Sequence, residues 1–240
     1  TAGTSMTIVG RNAGTGVLDT DAVGTVLVGF GSGAALTSGI GNVAIGYQSL
    51  DAATDSDYNT AVGTSALGAV VSSGDGRNTA VGYNAGLALN SGIKNTFVGA
   101  LAGDAMTDGH ENVIIGDNTG SVSTSVGYTV VIGQSAGAAD MTATADGTVA
   151  IGYSALGALT SGTNNTAIGY QSLDANATSD YNTALGYQTL SAVNGDGSGS
   201  NTAVGYRAGY QITTGTFNTA LGTSALYTNN QSDKNVAVGY

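Results

Sequence analysis

Side chains able to do acid–base or metal chemistry are scarce in this 240-residue chain. There is one histidine, His110, and it stands beside the one glutamate, Glu111. A general acid or base needs a positioned partner, and the surrounding residues supply none, so the pair reads as an exposed loop. Serines are abundant, but no Gly-x-Ser-x-Gly sequence stands on a strand-to-helix elbow. No Gly-x-x-x-x-Gly-Lys-Ser/Thr phosphate loop occurs despite 40 glycines. The run Asn194-Gly195-Asp196-Gly197-Ser198-Gly199 resembles the start of a calcium loop but lacks the later bidentate acid. Its counterpart, Ser72 to Gly76, keeps the glycines without the ligand pattern, and both read as turns. Asn164, Asn176 and Asn230 match the glycosylation pattern, which a chain rich in Asn and Thr generates by chance. No catalytic, cofactor-binding or metal-ligating residue is assigned, and no enzymatic activity is expected.

The aromatic residues offer more. Tyr47, Tyr83, Tyr153, Tyr170, Tyr187 and Tyr206 occupy one column of a repeat. Exposed, such a row could stack against sugars. Otherwise it packs neighbouring turns or subunits and bonds through its hydroxyls, and the regularity suits packing better.

That repeat positions everything else. Asn59-Thr60-Ala61-Val62-Gly63 returns, closely or loosely, fourteen times along the chain. The motif glycines are Gly10, Gly29, Gly46, Gly63, Gly82, Gly99, Gly116, Gly133, Gly152, Gly169, Gly186, Gly205, Gly222 and Gly239, always 17 or 19 residues apart. A fixed period of this size signals a repeat architecture. Counted from the Asn as position 1, position 2 is Thr or Val and position 4 is Val, Ile or Leu. Position 5 is Gly, position 8 is Ala, Ser or Thr, and position 9 is Gly or Leu. The invariant Gly fits a positive φ or a close backbone approach. The Asn column suits a side-chain hydrogen-bond ladder running up the stack.

Positions 2 and 4 share one strand face and position 3 the other, because side chains alternate. The Thr/Val column beside a constant aliphatic suggests that positions 2 and 4 face inward. Position 3, mostly Ala, would then face a neighbouring copy of the chain, since a strand apolar on both faces is covered on both. Fifteen of the sixteen acidic residues lie in the 8- or 10-residue linkers, Asp117 being the exception, so the linkers read as a solvated edge. A longer repeat is superimposed: the segment Asn42 to Leu50 returns as Asn165 to Leu173, an offset of 123 residues.

The expected fold is all-β: a parallel β-solenoid, roll or helix, of about fourteen 17- or 19-residue turns. Residues 1–240 read as one continuous solenoid fragment made of two tandem seven-turn blocks, about 1–123 and 124–240. Composition agrees. With 41% apolar and 9% charged residues the chain is not of the disordered class, and without Pro it is not collagen-like. A formal charge of −11 disfavours nucleic acid or an anionic membrane as partner. No run of about 18 apolar residues is present, so no membrane insertion is expected. Thr1-Ala2-Gly3 shows no signal peptide, and the truncated last motif suggests a piece of a longer array. A coil this narrow and glycine-rich buries little per turn, which favours oligomerisation, with a three-fold bundle the natural closed form.

The Asn-Thr-Ala-Val-Gly-Tyr-x-Ala-Leu/Gly pattern resembles repeats of bacteriophage tail-fibre proteins across the whole chain. It is also similar to the head repeat of trimeric autotransporter adhesins, though these turns are longer. The resemblance implies a homotrimeric left-handed parallel β-roll in a virion tail fibre or on a cell surface. It implies a structural or adhesive shaft supporting attachment to a cell-surface receptor or glycan. The alternatives are a bacterial adhesin head that binds matrix or glycan directly and, more remotely, an ice-binding solenoid.

Overall fold

In the computed structural model of the protein, residues 5–16, 22–71 and 73–240 are described. Thr1, Ala2, Gly3 and Ser72, which enter the leader and turn readings above, lie outside the described residues. The chain forms a parallel β-solenoid and divides into two compact units, Thr1–Ser125 and Val126–Tyr240. In the first unit seven three-residue strands stack in chain order: Thr7–Val9, Val26–Val28, Val43–Ile45, Thr60–Val62, Thr79–Val81, Thr96–Val98 and Val113–Ile115. The second unit repeats this with Val130–Ile132, Val149–Ile151, Thr166–Ile168, Thr183–Leu185, Thr202–Val204, Thr219–Leu221 and Val236–Val238. β-Branched residues at positions 2 and 4 favour these strands. Gly at position 5 then stops each one.

Pairing is motif on motif and parallel. Thr60, Ala61 and Val62 face Thr79, Ala80 and Val81, although 19 residues separate them. The two extra residues are absorbed in the linker. There Ser56–Asp57 pairs with Gly74–Asp75, and in the second unit Ser179–Asp180 pairs with Gly197–Ser198. Gly74 and Gly197 sit at φ +77 and +83 with open space where a Cβ would stand. The insertions therefore project outward.

The corner after each strand explains the motif glycine. Gly82 lies at φ +142, and a Cβ there would run into the backbone carbonyl of Gly99 in the next turn. Gly46, Gly63, Gly99, Gly133, Gly152, Gly169, Gly186, Gly205 and Gly222 meet the next turn in the same way. Gly116 and Gly239 share the backbone conformation, at φ +139 and +127. At Gly82 and the glycines that share its contact, conformation and contact both exclude a side chain.

The two strand faces are the reverse of the sequence expectation. Position 3 is the interior: Leu27, Ala44, Ala61, Ala80, Phe97, Ile114, Val131, Ala150, Ala167, Ala184 and Ala203 are fully buried within their own units. Positions 2 and 4 point outward, with Ile45, Leu185 and Leu221 39%, 45% and 47% exposed. The physical reason is volume. The coil is narrow, so its lumen accepts Ala on the strand and draws the rest of its filling from the opposite wall. That filling comes from positions 9 and 12. Where position 3 is Ala, position 9 is commonly Leu, as in Ala44 with Leu50, Ala61 with Leu67 and Ala167 with Leu173. Where position 3 is large, position 9 is Gly: Leu27 with Gly33, Phe97 with Gly103, Ile114 with Gly120. A Cβ on Gly33 or Gly103 would overlap the Leu27 side chain or the Phe97 ring. Leu36, Val70, Leu89, Met106, Leu159, Val193 and Ile212 at position 12 complete the core. Close packing demands such compensation, because a coil with both residues large would burst and with both small would hold a void.

Candidate functional site

Two side-chain columns run from turn to turn. The first is buried and structural. The Oδ1 of Asn42 accepts from both the backbone N–H and Nδ2 of Asn59, at 2.9 and 3.2 Å. Asn78, Asn95 and Asn112 continue the series in the same sense. The second unit has its own ladder through Asn165, Asn182, Asn201, Asn218 and Asn235. The amide nitrogens also close their own turns: Asn95 Nδ2 donates to the Gly109 carbonyl at 2.8 Å and Asn165 Nδ2 to that of Ser179 at 2.8 Å. The expected Asn ladder is therefore present. At Thr25 a hydroxyl does part of the same work, donating to the Gly39 carbonyl at 3.3 Å and accepting from Asn42 N–H at 3.4 Å.

The second column is exposed and aromatic. In the second unit the rings of Tyr153, Tyr170, Tyr187 and Tyr206 stack in sequence, with centroids 5.2, 5.2 and 5.3 Å apart and planes within 15°. Each ring covers the face of the next, so the surface of the column consists of ring edges and hydroxyls. Sugar stacking on the covered faces is thus sterically closed, whereas the edges are open. In the first unit Tyr47 stacks on Phe30 at 5.4 Å. Thr64 then takes the place of a ring, and Ala100 and Asp117 follow Tyr83.

Beside the rings runs a feature the sequence reading missed. Position 7 is Gln171, Gln188 and Arg207 in successive turns. Gln188 Nε2 donates to Gln171 Oε1 at 2.9 Å, and Arg207 Nε donates to Gln188 Oε1 at 2.9 Å. The Arg207 guanidinium also lies over Tyr206 at 5.3 Å and Tyr210 at 5.1 Å, and Tyr210 stacks on Tyr227 at 5.2 Å. The signal was the recurrence of Gln at this position, but an exposed Gln in a polar turn looks unremarkable until its neighbour 17 residues on is seen to touch it.

The other candidates stay scattered. Glu111 pairs with Lys94, one turn earlier, at 2.8 Å. The hydrogen bond from Lys94 holds its carboxyl below the ordinary value, with smaller electrostatic help from Lys94 and His110. Asp196, in the calcium-like run, accepts from the Thr178 hydroxyl at 2.8 Å. Among the described residues no three His, Cys, Asp or Glu side chains converge as a metal site would require. Gly133-Gln134-Ser135-Ala136-Gly137 has the letters of a nucleophile elbow, and Ser135 lies at φ +58, but the turn is followed by no α-helix, only by the three-residue 3-10 helix Ala143–Ala145. Asn176 is buried and donates to the Ser179 carbonyl at 3.0 Å, which closes it to glycosylation in the folded chain. No helix among the described residues is long and apolar enough to cross a membrane. Comparison of the chain with protein-family models, curated proteins and solved structures finds no match.

Proposed function

We propose that the chain is a shaft segment of a structural or adhesive fibre, assembled side by side as a homotrimer. Its role is to support host-receptor attachment in a bacteriophage tail fibre or a similar surface appendage, and no reaction is assigned to it. The observation that carries this reading is the outer face at positions 2 and 4. Within each unit it is a Thr/Val and Val/Ile/Leu surface without a charged residue, in a chain whose net charge is −11. The uncharged aliphatic column at position 4 is the kind of exposed apolar surface that marks association. The buried Asn ladders support a mechanical role, because within Asn42–Asn112 and Asn165–Asn235 they couple successive turns. Position 3 is interior, so the contact between copies is assigned to positions 2 and 4.

Light scattering on the purified chain should give three times the 23.3 kDa chain mass. Ile168→Asp with Leu185→Asp, both outward, should lower the mass to one chain while the β circular-dichroism spectrum persists. A native chain that is monomeric with intact β structure would end the fibre reading. An adhesin head of the bacterial type shares this assembly, and a coiled-coil stalk and membrane anchor in flanking sequence would favour it.

One observation favours a second reading. The Thr column, expected inward, faces out, and Thr166, Thr183, Thr202 and Thr219 form an unbroken run in successive strands. A regular outward Thr array can order water, as an ice-binding surface does. Thermal hysteresis together with a monomeric mass would replace the fibre reading with that one.

A further inference from the structure

We propose that the ring-and-amide track of the second unit, Tyr153, Tyr170, Tyr187 and Tyr206 with Gln171, Gln188 and Arg207, binds an extended, neutral, β-1,4-linked polysaccharide laid parallel to the solenoid axis. The track is not needed to hold the coil. In the first unit the same position carries Thr64, Ala100 and Asp117, yet the strands pair in the same register. Among the described residues the first unit keeps only the Phe30–Tyr47 stacked pair of this column, so the unbroken four-ring ladder of the second unit is an addition to the fold.

Its geometry specifies a linear, periodic ligand. The four tyrosines are 40–47% exposed, and their ring centroids follow one another at intervals of 5.2 to 5.3 Å. Among the described residues no protein group bonds the hydroxyls of these four tyrosines. Each is both donor and acceptor. Next to them the amide rail is locked by its own hydrogen bonds. That leaves Gln171 Nε2 and the Arg207 Nη groups to donate outward. Such preorganised groups bind without a large ordering cost.

A β-1,4-linked pyranose chain is a flat, fully extended ribbon with equatorial hydroxyls along both edges, and its rise per sugar is close to the spacing of the rings. One edge can thus give each tyrosine hydroxyl a partner on successive sugars. An α-1,4-linked chain curves and loses that registry after a turn or two. The chain's net charge of −11 disfavours an anionic polymer.

The test uses the full chain in the assembly it forms, with soluble hexamers of β-1,4-linked glucose and of β-1,4-linked N-acetylglucosamine as probes. The chain has 12 tyrosines and no tryptophan, so tyrosine emission is observable without tryptophan background, and the Phe variants below assign any change to the track. A saturable change is expected with at least one β-linked hexamer, and the arm that responds identifies the sugar. Tetramers should bind about as well as hexamers, and dimers at least about tenfold more weakly. Tyr170→Phe with Tyr187→Phe removes two hydroxyls and keeps the stack, and should weaken binding about tenfold or more. Tyr47→Phe with Tyr83→Phe, in the other unit, should leave binding unchanged. No saturable response to either hexamer overturns the proposal. So does equal binding of an α-1,4-linked glucose hexamer, or undiminished binding by the Tyr170/Tyr187 variant.

Discussion

Replacing Asn201 by alanine should destabilise the second unit severely, and replacing it by threonine should not. Asn201 is buried. Its Oδ1 accepts from the backbone N–H and Nδ2 of Asn218, at 3.0 and 3.1 Å. Its Nδ2 donates to Asn182 Oδ1 at 3.1 Å and to the Gly215 carbonyl at 2.9 Å. Alanine removes all four bonds. The Asn218 N–H and the Gly215 carbonyl lose their partners outright, while the two side-chain amides lose one partner each. At about 1–3 kcal/mol for each stranded buried group, the two backbone groups alone cost about 2–6 kcal/mol. Threonine can reproduce what Thr25 does: donate to the carbonyl fourteen residues on and accept from the next turn's N–H. Its cost should be about 1 kcal/mol, that of the side-chain bonds it cannot make. Urea unfolding followed by circular dichroism gives the stabilities, and hydrogen exchange at the Asn218 amide gives the local effect, since a stack of turns can open in parts. The reasoning is refuted if alanine costs less than about 1 kcal/mol, or if threonine is as harmful as alanine.

Gly82→Ala should prevent normal stacking, whereas Gly74→Ala, at positive φ but in open space, should cost only about 1–2 kcal/mol; thermal denaturation separates them. Phe97→Ala should cost about 3–5 kcal/mol, and adding Gly103→Leu should recover much of it, because leucine at positive φ fills the lumen beside alanine at Leu67 and Leu173. A double-mutant cycle with near-zero coupling would contradict that packing account. Asp104 is a pH probe: burial raises its carboxyl above the ordinary value against opposing backbone hydrogen bonds, and its Oδ1 has no hydrogen-bond partner among the described residues. The folded chain then holds that proton more tightly than the unfolded one, so this group withdraws stability as pH rises from the unfolded carboxyl range through the folded one. Asp104→Asn should therefore raise the melting temperature at neutral pH and lose its advantage in acid, and an advantage independent of pH would show that another contact is responsible.

The amino-acid sequence alone determined the period, the strand positions, the motif glycine and the Asn ladder. These are local or strictly repeated constraints. Gly82 must be Gly wherever its turn is stacked, and identical turns placed in register bring Asn78 over Asn59 without further information. The sequence also separated positions 2 and 4 from position 3, because alternation follows from strand geometry. Which face turned inward was not legible there. Thr, Val and Ala are all compatible with a half-buried strand, and the sign is set by the width of the lumen. Only the tertiary structure shows that Ala44 is interior because Leu50 reaches across from the opposite wall, and that Phe97 is possible because Gly103 yields the space. The tyrosine column was visible as a periodicity, but the orientation of its rings was not. Ring faces that cover one another, and a Gln171–Gln188–Arg207 rail beside them, arise from contacts between residues 17 or 19 apart, which exist only once the turns are stacked.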